Sequence, residues 1–136
     1  MKRSASAVWD GSLKEGSGKF NVQSGVLKDV NYTFRTRFEN EPGTNPEELV
    51  AAAHAACFSM AVSAELNKLG ITPQSVRTTS NITFEEGTLK KSELDTTVVA
   101  PGADRAKVEQ AANTAKVGCP IARALNLEIT MNLNIE

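Results

Sequence analysis

The stretch that most constrains the fold runs from Thr44 to Gly70, TNPEELVAAAHAACFSMAVSAELNKLG. Both of its ends are marked. Asn45 can accept hydrogen bonds from the first free backbone N–H groups, and Pro46 suits the first helical position, where an N–H would be unpaired anyway. Glu48 stands in the capping-box position after Asn45, and Glu47 and Glu48 both favour the positive start of a helix. At the far end Gly70 can take the left-handed cap conformation, and Pro73 blocks continuation. A helix over 46–69 would be about 36 Å long. Between Leu49 and Ala64 it carries no formal charge, and His54 is its only strongly polar residue. Apolar or small residues fall on every face, which predicts a helix buried on nearly all sides. Its hydrophobicity is too diluted by Ala and Ser to read as a membrane span.

A chain of 136 residues reads as one domain, residues 1–136, and is small for so long a buried helix. Cover has to come from nearly the whole chain, or from a second copy of it. A net charge of −1, with no basic cluster larger than a pair such as Lys2-Arg3, argues against a nucleic-acid partner. No apolar run follows the first residues, so no signal peptide is expected, and the expected compartment is the cytoplasm. There, Cys57 and Cys119, far apart and outside any Cys-x-x-Cys motif, should not form a standing structural disulfide. The pair is either inert or redox-active.

The rest of the chain reads as strands on both sides of the long helix, with two short helical stretches near the end. Residues 4–10 and 18–23 form short strands around Gly11, Gly16 and Gly18. Residues 30–38 read as a third strand, because Tyr32, Phe34 and Phe38 alternate with Thr33, Arg35 and Arg37. After Gly70, residues 75–85 place Val76, Thr78, Ser80, Ile82 and Phe84 on one face, and Glu86-Gly87 turns the chain into a strand over 89–99. A helix over 103–117 turns Ala106, Val108, Ala111, Ala112 and Ala115 inward and is stopped by Gly118. A short helical turn follows at 120–125, then a strand over 127–135 whose apolar residues alternate throughout. Clustered strands, without strict alternation with helices, predict an α+β fold with largely antiparallel sheets laid over the helices.

Two cysteines and one histidine are the candidate chemical groups. An unpaired cysteine on an Ala-rich helix packs as a small hydrophobe, and burial raises a thiol's pKa. Cys57 is also about three turns into the helix, beyond the reach of the helix dipole. A reactive Cys57 therefore needs a cation from elsewhere, for which Arg35 and Arg37 are the candidates. Cys119, between Gly118 and Pro120, sits where a short helix begins, so local reasoning makes it the more acidic thiol. His54 shares a helix face with Cys57, and with Cys119 the three could ligate a metal, although no second ligand pair accompanies them.

These residues also carry a resemblance. Thr44-Asn45-Pro46-Glu47-Glu48-Leu49 running into Ala55-Ala56-Cys57-Phe58-Ser59-Met60-Ala61, followed by Val117-Gly118-Cys119-Pro120-Ile121, closely resembles the OsmC/Ohr family of thiol peroxidases. Ser24-Gly25-Val26-Leu27, Thr36-Arg37-Phe38-Glu39 and Val99-Ala100-Pro101-Gly102 extend the likeness over nearly the whole chain. His54 within Ala-Ala-His-Ala-Ala-Cys is more like the OsmC branch (osmotically inducible protein C). The resemblance implies an intertwined homodimer with long central helices wrapped by sheets and no bound cofactor or metal. It implies a peroxidatic Cys57, a resolving Cys119, and an activating Arg37 paired with Glu47. It also implies an organic hydroperoxide as substrate and an external dithiol as reductant. The local reading of Cys119 gives the two thiols the opposite roles. Two other readings stand beside the peroxidase: a non-catalytic protein that binds a small apolar ligand, and the metal site at His54, Cys57 and Cys119.

Overall fold

The computed structural model describes all 136 residues, which form two compact units, Met1–Leu49 and Val50–Glu136. The first is built on an antiparallel meander of β1 (Ala5–Asp10), β2 (Ser17–Val22) and β3 (Val30–Thr33). Gly18 of β2 lies where the rings of Trp9 and Tyr32 come together, 5.4 Å apart at their centroids. A Cβ on Gly18 would run into both rings, so the aromatic cluster depends on its absence.

The third strand ends sooner than the alternation predicts. Residues 34–38 form a short helix, α1 (Phe34–Phe38). Thr33 is its cap: the Thr33 hydroxyl accepts from the Thr36 N–H, and the Thr36 hydroxyl accepts from the Thr33 N–H. With that turn closed, Phe34 and Phe38 meet one turn apart, 4.8 Å between centroids. The same residues fit either period over so short a run, and the local cap decides between them.

The long helix, α2 (Pro46–Lys68), begins in the first unit and continues into the second. Its start is capped as the sequence predicts, the Asn45 side chain accepting from the Glu48 N–H at 2.8 Å. Asn45 also donates to the Thr36 carbonyl at 3.0 Å, which ties α1 to the start of α2. At the other end the Ile71 N–H reaches the Leu66 carbonyl and the Gly70 N–H reaches that of Asn67, with Gly70 at φ +76°. This is the Schellman closure that a glycine at that position permits.

In the second unit β4 (Ser75–Glu85) and β5 (Thr88–Val99) form an antiparallel hairpin through Glu86-Gly87, both at positive φ. That is the two-residue turn that matches strand twist. β6 (Glu128–Ile135) then pairs with β5 in parallel, reached through α3 (Arg105–Gly118) and α4 (Pro120–Ala124). Every other strand pair in the molecule is antiparallel. The fold is α+β, as predicted. The core packs Phe58, Val62 and Leu66 of α2 with Leu94 and Val98 of β5 and Val108 of α3. Each such side chain stabilises by roughly 1.5–3 kcal/mol.

The chain's own cover of α2 is partial, and three sequence expectations change: the dilution of α2 below a membrane span, Ala106 as inward and Gly118 as the stop of α3. Within the chain α2 is buried on one face only, that of His54, Phe58, Val62 and Leu66. The opposite face, Ala52, Ala53, Ala56, Met60 and Ala64, is exposed, Met60 by 75 %. The reason is that the second unit's sheet and α3 supply one packing surface, not two. By length and apolar composition α2 would also suffice to cross a membrane, yet its buried face is part of a helix-on-sheet core. In α3, Ala106 is exposed and not inward. That helix also includes Gly118 and stops at Cys119, whose extended ψ of 128° is what a following proline requires.

Candidate active site

Cys57 and Cys119 meet in the second unit. The Cys119 Sγ donates to the Cys57 Sγ across 2.9 Å, and both cysteines are free thiols. Their surroundings differ. Cys119 is fully buried in the core, whereas Cys57 is half-buried, on the edge of the covered face of α2. Burial pushes the Cys119 thiol above its ordinary value, and its hydrogen bond to Cys57 adds to that. The backbone N–H groups of Ala122 and Ile121, at the start of α4, pull the other way but are outweighed. The expectation that the start of α4 makes Cys119 acidic is therefore corrected. Cys119 does sit at the cap of α4, but the end of a five-residue helix does not offset a dry environment. Cys119 keeps its proton and offers it to Cys57.

A second polar pair belongs to the first unit. The Arg37 fork grips Glu47, Nη2 to Oε1 at 2.8 Å and Nε to both oxygens at 3.1 and 3.2 Å. Two donors on one carboxylate fix the guanidinium plane as a single hydrogen bond would not. The Glu47 side chain is 15 % exposed and that of Arg37 34 %, so the pair is partly shielded from solvent. The pairing forms within one chain. α1 makes it possible: had 34–38 been a strand, Arg35 and Arg37 would point the same way, whereas on the helix they diverge. Arg37 also lines an apolar cleft of about 230 Å³ walled by Trp9, Leu13, Tyr32, Phe34 and Phe38. Sequence reasoning did not find this cleft, because its walls come from β1, β3 and α1 together.

His54 points elsewhere than to the thiols. Its Nδ1 lies 2.7 Å from the Ser92 Oγ, which is 3.0 Å from the Ser80 Oγ. Burial lowers the His54 pKa, so the imidazole is neutral at pH 7, and its Nε2 has no hydrogen-bond partner within the chain. An unpaired buried nitrogen costs about 1–3 kcal/mol. A second chain of hydroxyls runs from Ser59 to Thr78 at 2.8 Å and on to Thr96 at 3.1 Å. No three His, Cys, Asp or Glu side chains are grouped to hold a metal ion, so His54, Cys57 and Cys119 do not form the ligand set considered above. The hydroxyls were missed in the sequence. The available signal was Ser and Thr at the inward positions of two strands otherwise apolar on that side.

A dry thiol donating to a more accessible one, on an α+β frame, defines the protein as a two-cysteine thiol protein. The particular family follows from comparison: the family described as OsmC-like protein matches residues 38–134, and the chain belongs to it. The peroxiredoxin OsmC of Escherichia coli (strain K12) is 41% identical over 140 residues, covering 100% of this chain and 98% of that protein. The peroxiredoxin OsmC of Shigella flexneri matches to the same extent. Among solved structures, the organic hydroperoxide resistance protein OhrB of Bacillus subtilis aligns with a TM-score of 0.68 at 25% identity, over 96% of this chain and 98% of that one. An OsmC-like protein from Mycoplasma pneumoniae, at 14% identity, has a TM-score of 0.77 over 99% and 97%. At that identity the likeness shows the fold alone.

Proposed function

We propose that the protein is a thiol-dependent peroxidase that reduces organic hydroperoxides to alcohols, with Cys57 as the attacking thiolate and Cys119 as the resolving thiol. The observation that carries this reading is the 2.9 Å hydrogen bond in which Cys119 is donor and Cys57 acceptor. A sulfur that accepts a thiol proton is stabilised as the thiolate, and the thiolate is the nucleophile. Its attack on one peroxide oxygen breaks the O–O bond. The leaving alkoxide takes a proton and departs as the alcohol, and Cys57 becomes a sulfenic acid. Cys119 then attacks the Cys57 sulfur, the S–O bond breaks, and the hydroxyl leaves as water with the Cys119 proton. An external dithiol restores both thiols by exchange.

Arg37, held by Glu47, is the activating cation, favouring the Cys57 thiolate and polarising the O–O bond. The reading includes a preference for alkyl or lipid hydroperoxides over hydrogen peroxide, in keeping with the organic hydroperoxide resistance of the Bacillus subtilis protein of the same fold. The exposed face of α2 supports a homodimer. Ala52, Ala53, Ala56, Met60 and Ala64 form an apolar stripe whose burial against a second copy would complete the core helix. Regeneration of both thiols by an external dithiol fits a reducing compartment, the cytoplasm. Residues 1–136 act together as one domain in this reading.

Treating the reduced protein with one equivalent of an alkyl hydroperoxide tests the assignment. Two thiols should disappear and a Cys57–Cys119 bridge should appear on mapping. An unchanged thiol count would favour a non-catalytic protein whose cleft binds a small apolar ligand. Sedimentation at micromolar concentration should show a dimer, and a well-folded monomer there would remove the homodimer from the proposal.

A further inference from the structure

The interior face of β4 and β5 is polar where it meets α2. The inward residues of β5 are Ser92, Leu94, Thr96 and Val98, all buried, so hydroxyls and apolar side chains alternate along it. Across from them on β4 stand Thr78 and Ser80, each completing a hydrogen bond. The two hydroxyl chains reach α2 on either side of Cys57. One ends on His54, three residues before it, and the other on Ser59, two residues after it. Neither chain touches a thiol, and the peroxidase steps above use none of these groups.

Apolar contact lets a helix rotate or slide on a sheet at small cost, whereas hydrogen bonds of fixed length and direction do not. Buried, well-connected polar groups therefore select one arrangement out of several compact ones. A rotation of α2 by about 20° would move a side chain at Cys57 by roughly 1 Å, and an error of that size slows a positioned reaction by about 100-fold.

We propose that the His54–Ser92–Ser80 and Ser59–Thr78–Thr96 chains are positioning devices for the resolving step, a role that rests on the peroxidase reading above. They hold the rotation and height of α2 on the sheet, so that the Cys57 sulfur stays in reach of Cys119 after oxidation. The step they serve is the one in which Cys119 sulfur bonds to Cys57 sulfur, the S–O bond of the sulfenic acid breaks, and water leaves with the thiol proton. Attack on the peroxide by Cys57 makes a looser demand, because a small mobile substrate adjusts to the sulfur and a hydrogen bond tolerates more displacement than a bond-forming approach of two side-chain sulfurs. His54, Ser59 and the four strand hydroxyls are thus positioning residues, acting through the placement of α2.

The experiment follows both steps in the full-length protein during a single turnover with cumene hydroperoxide. The variants are Ser59→Ala, Thr96→Val and Ser59→Thr. Thr96→Val keeps volume and removes the hydroxyl, and Ser59 is only half-buried, so its replacement by Ala spares the fold if Thr96→Val does not. Sulfenic acid lifetime, read by dimedone trapping, should lengthen about tenfold in Ser59→Ala and Thr96→Val. Peroxide consumption in the first turnover should stay within about twofold of the native rate. Ser59→Thr, which restores a hydroxyl, should return the lifetime toward native. Disulfide formation at the native rate in the Ser59→Ala protein would overturn the proposal, as would equal slowing of both steps. Failure of the peroxidase reading itself looks different: the native protein would then form no sulfenic acid and no disulfide.

Discussion

The thiol pair and the Arg37–Glu47 pair hold their partners in opposite ways. Cys119 is dry, and its contact with Cys57 joins residues far apart in sequence, brought together by α2, α3 and α4. Arg37 and Glu47 are ten residues apart, close to solvent, and joined by a short helix, a loop and one helix start. The first pair is made by the core and depends on it. The second is made by local geometry and depends on a cap. Exclusion of water gives Cys119 its high affinity for a proton, whereas two-point hydrogen bonding gives Arg37 its fixed orientation.

The largest test of this contrast exchanges the two sulfurs. Replacing Cys57 by Ser should bring peroxide consumption down to the uncatalysed background, with Cys119 unreacted by mass spectrometry, because a buried protonated thiol is shielded from peroxide in solution and meets only the sulfur beside it. Replacing Cys119 by Ser should leave one turnover that stalls as a dimedone-trappable sulfenic acid on Cys57. If the Cys57→Ser protein consumed peroxide at the native rate while the Cys119→Ser protein did not, the donor and acceptor roles would be reversed.

Next in size is the Arg37–Glu47 pair. Arg37→Ala should slow the first-turnover attack by about 100-fold, the scale of losing one placed electrostatic donor. Glu47→Gln keeps one acceptor oxygen and should slow it by about tenfold. Thermal midpoints should move little for either, since an ion pair only partly shielded from solvent contributes about 0–1 kcal/mol. A large loss of stability with intact kinetics would mean that this pair is structural and the contrast is drawn in the wrong place.

A smaller effect reads the dry side through pH. His54 is the sole histidine, buried and neutral, with a folded pKa below its ordinary 6.5. Well above pH 6.5 neither the folded nor the unfolded form binds a proton there, and the full stability is present. As the pH falls below that value the unfolded chain takes up a proton that the folded chain refuses, so stability drops until the folded pKa is passed. The slope is at most about 1.4 kcal/mol per pH unit from this group. Urea midpoints at pH 7.5 and 5 should differ in the native protein and differ less in His54→Gln. Equal pH dependence in the two proteins would show that His54 is not held neutral by the core.

Much of this was legible because the signals are local. Asn45-Pro46 and Gly70 bound α2, Glu86-Gly87 turned the hairpin, and the alternation in 127–135 gave β6. The family motif brought Cys57, Cys119, Arg37 and Glu47 together as candidates, and each pair is in contact here. What was not legible depends on tertiary cover or on competition between two local preferences. The dryness of Cys119 comes from side chains of other elements, so its cap position alone misled. Which face of α2 the chain itself covers could not be seen in a stretch apolar all round. Residues 34–38 satisfied the strand period and the helix period alike, and the reciprocal Thr33–Thr36 bonds settled the matter.

That last correction yields the smallest and sharpest expectation. As a strand, 34–38 would set Arg35 and Arg37 on one face, nearly interchangeable as cations. As a helix, two residues apart means about 200° of rotation, so only one of them can face Glu47. Arg37 does, with three donor–acceptor contacts, while Arg35 is exposed and contributes its backbone carbonyl to the Glu39 N–H. Arg35→Ala removes a charge and leaves that backbone bond intact, so first-turnover attack should stay within about twofold of native and the thermal midpoint within about 0.5 kcal/mol equivalent. Arg35→Ala and Arg37→Ala measured side by side then report the secondary structure of 34–38 through kinetics. Equal losses from the two substitutions would mean that the guanidinium groups share one direction, and the helical turn at α1 would have to be given up.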